Sequence, residues 1–312
     1  MNTDPMLPTA PTGLEPMLAA AQAANETVAA WRRPVLVERC RNLPASDYHS
    51  QARTPGVSST FLRAFATSPA DGIAALMSRT ASREMAVGSI VHDAALRGLS
   101  LAEATAPFVV FQHDGRTREG RAERGAARAT GRTAIDEADL RAVQFALASL
   151  RLHPVASRLL FTDESAGIRG QSETVIRWPD PTTGLACKAQ IDRIQIVDGR
   201  AVLVDLKTTS KGVSVEDAAR TFRSMRYDLQ LAHYTAGWEA YSGERLQCRA
   251  VFVETAPPYS TAVHVIDDEV IDRAERRRRV LLAQLSDCIA TGCWPGPADG
   301  VIELTKWQRM EE

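Results

Sequence analysis

The chain has 312 residues, of which 45% are hydrophobic and 24% charged. Those proportions fit an ordinary globular protein of one or two domains and exclude a largely disordered, fibrous or mini-protein chain. Lys and Arg number 37 against 38 Asp and Glu, a net charge of −1, so a polyanionic partner has to be gripped locally and not by a general basic excess. Apolar runs such as Ala201 to Val204 fall far short of the roughly 18–20 residues that a membrane-spanning helix needs. The N-terminus lacks the basic flank and apolar stretch of a signal peptide, and a cytoplasmic location is the expectation. Cys40, Cys187, Cys248, Cys288 and Cys293 are an odd number without an export signal, which reads as free thiols. Four of them at an iron–sulfur cluster is the rival reading, against which the poor spacing and the lack of a CxxC pair count.

In chain order, residues 1–45 read as a flexible or partly helical accessory segment. Pro5, Pro8, Pro11 and Pro16 punctuate its start, and an alanine-rich helix is possible from Glu15 to Trp31, marginal without a packing partner. Ser58 or Ser59 caps a helix carrying Phe61, Leu62 and Phe65, which stops near Ser68 because Pro69 disfavours a helical preceding residue. A second helix is expected from Arg83 through Leu96, with Met85, Ile90, Val91 and Leu96 toward a core. Residues 115–132 carry Arg116, Arg118, Arg121, Arg124, Arg128 and Arg132 among glycines, a mobile basic arm or short loose helix. Asp136 or Glu137 opens a helix with Leu140, Val143, Leu147 and Leu150 at helical spacing.

After Gly170 the period becomes that of strands: 171–178, then 186–197 ending at the turn signal Asp198-Gly199, then 201–207. One long helix is expected from about Val215 to Tyr241, then strands at 246–255 and 260–267 around Ala256-Pro257-Pro258, and a last helix carrying Val270, Ile271, Leu281, Leu282, Leu285 and Ile289. Arg276 to Arg279 read as a solvated face of that helix. The order is that of an α/β protein with a mixed central sheet flanked by helices.

The informative stretch runs from Asp192 to Lys207. Alternation places Ala201, Leu203, Asp205 and Lys207 on one strand face, with Val202, Val204 and Leu206 on the opposite, core-facing side; Asp205 and Lys207 then stand roughly 6–7 Å apart along the strand. Asp192 lies on the preceding strand, and a hairpin turning at Asp198-Gly199 brings it near Asp205. Two carboxylates about 5 Å apart repel by about 3 kcal/mol at an effective dielectric of about 20. A divalent cation reverses that sign, and hard oxygen ligands suit Mg²⁺, with Mn²⁺ as a substitute. A lysine beside such an ion orients or deprotonates an attacking water, since burial and a neighbouring cation lower its pKa. This is equipment for phosphodiester hydrolysis. An Asp-x-Lys strand end alone also fits an ordinary solvated sheet edge.

The order of motifs resembles the PD-(D/E)XK nuclease superfamily, in its phage-type branch related to exodeoxyribonuclease VIII (RecE-like). Ser58-Ser59 and Ser68-Pro69-Ala70 resemble the entry helix, and Gly88-Ser89-Ile90-Val91-His92 the GxxxH motif. Residues 111–120, followed by Gly131-Arg132-Thr133, resemble a family loop and helix start. Glu173, the CKAQID run from Cys187 to Asp192, and DLKTT at 205–209 resemble the catalytic core; Tyr227, Gln230 and Tyr234 match the QxxxY helix, and 254–267 the closing strands. The resemblance covers about residues 46–308, so that 46–312 would be one exonuclease domain with a restriction-endonuclease-like core. Asp205 stands where many superfamily members have Glu.

The resemblance implies Asp192, Asp205, a ring nitrogen of His92 and the Leu206 carbonyl as metal ligands, Lys207 as the residue that aligns or activates water, and Glu173 as an acidic neighbour of the metal. Tyr227, Gln230 and Tyr234 would line a DNA-strand channel, and the arm with Arg116, Arg118 and Arg121 would meet phosphates. The implied activity is Mg²⁺-dependent degradation of linear duplex DNA from the 5′ end, leaving 3′ overhangs for a single-strand annealing protein, by a ring-shaped homo-oligomer. The alternatives are an endonuclease or single-strand-specific nuclease on the same core, a cluster-bearing helicase-associated nuclease, and a non-catalytic DNA-binding recombination scaffold.

Overall fold

Helix starts follow the side chains able to accept orphan backbone N–H groups. Ser58, Ser82, Ser100, Asp136, Ser214 and Asp267 each accept one at a helix start. The computed structural model describes residues 14–40, 43–77, 82–130, 132–161 and 170–299. Within them the elements are α1 (Leu14–Ala29), β1 (Glu38–Cys40), α2 (Ala45–His49), α3 (Ser59–Phe65), α4 (Pro69–Met77), α5 (Arg83–Leu96), α6 (Leu101–Thr105), β2 (Val109–Val110), α7 (Arg118–Thr130), β3 (Ala134–Ile135), α8 (Glu137–Leu152) and α9 (Pro154–Leu160). There follow β4 (Gly170–Pro179), β5 (Ala186–Val197), β6 (Arg200–Thr209), α10 (Val215–Ser224), α11 (Tyr227–Ser242), β7 (Gln247–Glu254), β8 (Thr261–Ile266) and α12 (Asp268–Thr291).

Six strands form one sheet in the order β1-β4-β5-β6-β7-β8, antiparallel except for the β6–β7 pair. β2 and β3 make a small parallel pair beside it. Helices cover both faces. Leu203, Trp178 and Cys248 pack with residues of α1, α3, α11 and α12, while Val202, Val204, Leu206 and Val251 pack with residues of α5, α8 and α9. The strand carrying Asp205 and Lys207 is therefore buried on both sides, not on one; Asp205 itself is 1% exposed.

Residues 14–40, which the sequence reads as flexible or partly helical, contribute Ala24, Val28 and Trp31 to the first core and β1 to the edge of the sheet. The missing packing partner is supplied by distant elements: Trp31 meets Phe61 edge-to-face with ring centres 4.8 Å apart, and Arg32 donates to the Ser286 carbonyl. The first thirteen residues and Gly131 of the quoted Gly131-Arg132-Thr133 lie outside the described residues.

Four expectations need correction. Met85 is 61% exposed, since it falls on the outer side of α5. The helix expected over 215–241 is two, because Arg226 takes a left-handed conformation (φ 53°). That conformation costs a non-glycine residue about 1–2 kcal/mol, and reciprocal contacts hold the break: Arg63 donates to Met225 O and Arg226 to Arg63 O. Within residues 115–132 the chain takes the helical alternative, as α7, whereas α9 is a helix that the sequence reading lacked. Arg278 is fully buried, paired with Glu275 and Asp180, and does not belong to a solvated face.

Gly237 shows how tightly α11 lies on the sheet: a Cβ there would stand 2.6 Å from the buried Trp178 ring. Ala normally favours a helix over Gly by about 1 kcal/mol, but overpacking a rigid neighbour costs about 1–3 kcal/mol. Gly237→Ala is expected to lower the urea midpoint; a raised midpoint refutes the close packing.

Candidate active site

Backbone pairing between β5 and β6 runs from Val197↔Arg200 to Arg193↔Val204 and stops there. Beyond that point β5 stays with β4, and β6 with β7 as far as Thr209↔Glu254, so the two central strands part like a fork. At its base the Leu206 N–H donates to Asp192 Oδ2 at 2.9 Å. A carboxylate takes the place of a ladder carbonyl and is thereby fixed beside β6.

The far side of the fork is closed by the residue before the Ser58 cap. Val57 N–H donates to Ala186 O and Val57 O accepts from Lys188 N–H, a parallel bridge to Cys187. His233 of α11, fully buried, lies 3.1 Å through Nε2 from both Val57 O and Lys188 O, and burial holds its pKa down at about 3. The Lys188 ammonium donates to the carbonyls of Tyr48 and Thr54. Lys188 thus holds the preceding loop against β5.

Four elements deliver side chains into the opening. On β6, Asp205 Oδ2 is 2.7 Å from Lys207 Nζ. From α11, Gln230 Nε2 donates to Asp205 Oδ1 at 3.3 Å and to Tyr234 Oη at 2.9 Å, and the Tyr227 ring centre lies 4.6 Å from Lys207 Nζ. From α5, His92 Nδ1 stands 3.7 Å from Asp192 Oδ2. On β4, the ladder passes from Ser172↔Arg193 to Thr174↔Ile191 and leaves Glu173 unpaired with φ 51°. Its carboxylate accepts from Gln190 Nε2 and from Arg97 Nη2. His92, Glu173 and Asp192 offer ligand atoms within 4.8 Å of one another.

Burial raises the pKa of both Asp192 and Asp205, against the pull of Lys207. Burial, then the charge of Asp192, pushes Glu173 up to about 7. Burial, then Lys207, lowers His92 to about 4, which leaves the ring neutral and able to bind a metal. For Lys207 burial pulls downward, but Asp205, Asp192 and Tyr227 outweigh it and the pKa ends above its ordinary value. Lys207 is thereby held as an ammonium beside Asp205, while the cation that the expected lowering invokes would act in the opposite direction. Three crowded, destabilised carboxylates with one neutral imidazole fit a hard divalent cation, which would relieve their mutual repulsion.

The structure brings together His92, Glu173, Asp192, Asp205, Leu206, Lys207, Tyr227, Gln230 and Tyr234. Gln230 and Tyr234 are buried and hold Asp205 in place. Arg116, Arg118 and Arg121 stand apart on and before α7. Arg121 donates to Arg116 O, Arg124 covers the Phe111 ring, and Arg132 binds the carbonyls of residues 106–108. Arg116 and Arg118 point to solvent. Gln190, Arg97 and His233 were not singled out from sequence. Gln190 shares a strand face with Lys188 and Asp192 by simple alternation, a usable signal; nothing local marks the other two. The five thiols are free, and among the described residues no cysteine joins the potential metal cluster.

Because the folded pKa of Glu173 lies near 7 against an ordinary 4.5, the folded state binds the extra proton between these values. Stability is then retained at low pH and lost as pH rises through about 7. In EDTA, wild type should lose about 3 kcal/mol between pH 4 and 8 that Glu173→Gln does not lose. Denaturant titrations with the same pH dependence in both proteins refute the assignment.

A family model described as "PDDEXK-like domain of unknown function (DUF3799)" matches residues 58–306. No curated protein matches the chain in sequence. Among solved structures, a candidate exonuclease from Eubacterium rectale is 16% identical with a TM-score of 0.57, over 88% of this chain and 94% of that one. This likeness is one of fold. An alkaline exonuclease from Laribacter hongkongensis is 17% identical over 61% of this chain and 93% of its own, TM-score 0.28. A phage-related exonuclease from Haemophilus somnus is 14% identical over 70% and 98%, TM-score 0.30. These last two scores are too low to bear on the site. Among the described residues no helix is long and apolar enough to cross a membrane. With residues 58–306 of 312 matched, and with Asp192, Asp205 and Lys207 gathered at the fork of a mixed sheet, the chain belongs to the PDDEXK-like domain family and carries the restriction-endonuclease-like fold of the PD-(D/E)XK superfamily.

Proposed function

We propose that this protein is a divalent-metal-dependent deoxyribonuclease that degrades linear duplex DNA from its ends. The observation that carries the reading is the buried Asp205–Lys207 pair facing Asp192, His92 and Glu173 across the fork. A Mg²⁺ or Mn²⁺ ion held by Asp192, Asp205, the His92 ring and the Leu206 carbonyl would neutralise charge on the scissile phosphate and acidify water. Lys207, a fixed ammonium, donates a hydrogen bond that orients the attacking water or a non-bridging phosphate oxygen. Glu173 is the acidic neighbour of that ion, its carboxylate grouped with Asp192 and His92. Gln230 keeps Asp205 from turning away, and Tyr227 forms the wall over Lys207.

The finer reading follows the order of motifs, which is that of the phage-type, RecE-like branch: attack from the 5′ end, 3′ overhangs for a single-strand annealing protein, and a ring-shaped homo-oligomer around DNA. Arg116 and Arg118, exposed and without ion-pair partners among the described residues, suit contact with backbone phosphates.

Incubation with linear and covalently closed duplex DNA, in Mg²⁺ or EDTA, tests the reading. Only the linear form should disappear, and only with metal. Asp205→Ala and Lys207→Ala should each cost more than about 100-fold in rate, since even residues that support a metal's ligands cost 10–100-fold. Cleavage of closed circles refutes the exonuclease, and full activity in EDTA refutes the metal. Arg116→Ala with Arg118→Ala should weaken DNA binding and flatten its dependence on salt, the log–log slope falling by roughly 0.7–0.9 for each phosphate no longer neutralised; an unchanged slope removes α7 from the interface.

A further inference from the structure

Beside the catalytic pair runs a groove of about 930 Å³ between α10, β8 and α12. Its apolar floor includes Phe222, Phe252, Val263 and Val265, and four arginines reach into it: Arg223, Arg226, Arg273 and Arg277. Resting on the nuclease reading, we propose that this groove holds the sugar–phosphate backbone of the DNA strand that leads to the Asp205–Lys207 site.

Three observations support the assignment. The first is continuity. Phe252 is the register partner of Lys207, and the Tyr227 ring lies 4.6 Å from Lys207 Nζ and 6.2 Å from the Phe222 ring. The groove therefore begins one aromatic ring away from the catalytic ammonium. At that end the Arg63 guanidinium lies 5.6 Å from the Tyr227 ring centre, and its Nε is buried without a hydrogen-bond partner.

The second is the division of arginines on α12. Arg278 and Arg279 are spent on Glu275, and Arg278 also on Asp180. Arg273 and Arg277, one helical turn apart, face the groove instead. Among the described residues none of the four groove arginines forms an ion pair, although Asp228 and Asp267 line the same space. In a chain of net charge −1, four guanidinium groups without an ion pair in one groove, two of them bonded only to the neutral carbonyls of Arg63 and Ala66, are a local excess.

The third is the cost of that excess. Arg226 is half-buried beside Arg277, and burial followed by that charge lowers its pKa against the opposing pull of Asp228 and Asp71. Like charges forced together by the fold are relieved by a polyanion. The floor favours a strand held by its backbone: its exposed residues Val215, Val265 and Val270 are aliphatic, the rings of Phe222 and Phe252 are buried, and the half-buried His264 ring is tied to Val213 O and packed on Phe252. An acidic peptide meets the same arginines, and it predicts no change in DNA affinity when they are removed.

The test is fluorescence anisotropy of labelled DNA with the full chain in EDTA across a salt series. Arg273→Ala with Arg277→Ala should weaken binding about tenfold at 0.1 M salt and reduce the slope of log affinity against log salt by roughly 1.5–2. Arg273→Lys with Arg277→Lys should recover most of the slope. Arg279→Ala, on the paired side of α12, should leave affinity and slope at wild-type values. Unchanged affinity in the double alanine variant overturns the groove, as does an equal loss in Arg279→Ala or a wild-type protein without salt-dependent affinity. Cleavage assays separate the two readings. Metal-dependent cleavage with unaltered binding leaves the nuclease and removes the groove. The stated binding loss without cleavage in wild type leaves the groove and removes the nuclease.

Discussion

The hydrogen bond from the Leu206 N–H to Asp192 Oδ2 is the contact on which the site depends. Where it forms, β5 and β6 stop pairing and diverge. Had the ladder continued, Asp192 and Asp205 would have been locked in a flat antiparallel pair, with no space between the strands for a third group. By giving a side-chain oxygen to the amide that loses its ladder partner, the chain avoids an unsatisfied buried N–H, which would cost about 1–3 kcal/mol. The same bond fixes a carboxylate at the fork.

A fork in a sheet leaves polar backbone on both prongs, and the rest of the architecture answers that need. Val57 pairs with the abandoned edge of β5, His233 bridges Val57 O and Lys188 O, and the Asp192 carboxylate takes the Leu206 N–H on the freed edge of β6. His233 stays neutral because burial holds its pKa near 3, so this brace does not loosen in mildly acidic solution. The chain ahead of Ser58 belongs to the same scheme. Tyr48 and Thr54 give their carbonyls to Lys188, and Trp31 packs against the helix that Ser58 starts.

The ingredients of the site were legible because strand alternation is a strict rule. DLK at 205–207 and the Asp198-Gly199 turn suffice to place three of the site's groups, and serine or aspartate caps mark helix starts such as those of α3 and α8. What alternation cannot show is where a ladder ends, since that depends on Val57 arriving from another part of the chain. Glu173 in a left-handed conformation and the break at Arg226 were equally hidden: neither residue type signals positive φ, and tertiary contacts hold both. The carboxylate side of the Lys207 balance was hidden for a related reason. Spacing along a strand reveals burial and one neighbour, whereas the outcome depends on the sum over Asp205, Asp192 and Tyr227.

A site built from three carboxylates has a difficulty of its own, since its substrate is also an anion. The acidic fork that suits a cation would repel a phosphate strand at any distance beyond the ion's own reach. The chain resolves this by separation and not by net charge, which is −1. Acidic groups are buried in the fork, where one ammonium, Lys207, compensates them. Guanidinium groups stand outside it, in the groove between α10, β8 and α12, where a polyanion can meet them. Burial intensifies the pull on a metal, and exposure keeps the grip on a long strand weak enough at each phosphate for the strand to move. On the proposed reading both are needed, and the groove arginines beyond Tyr227 then matter more than the overall balance of charge.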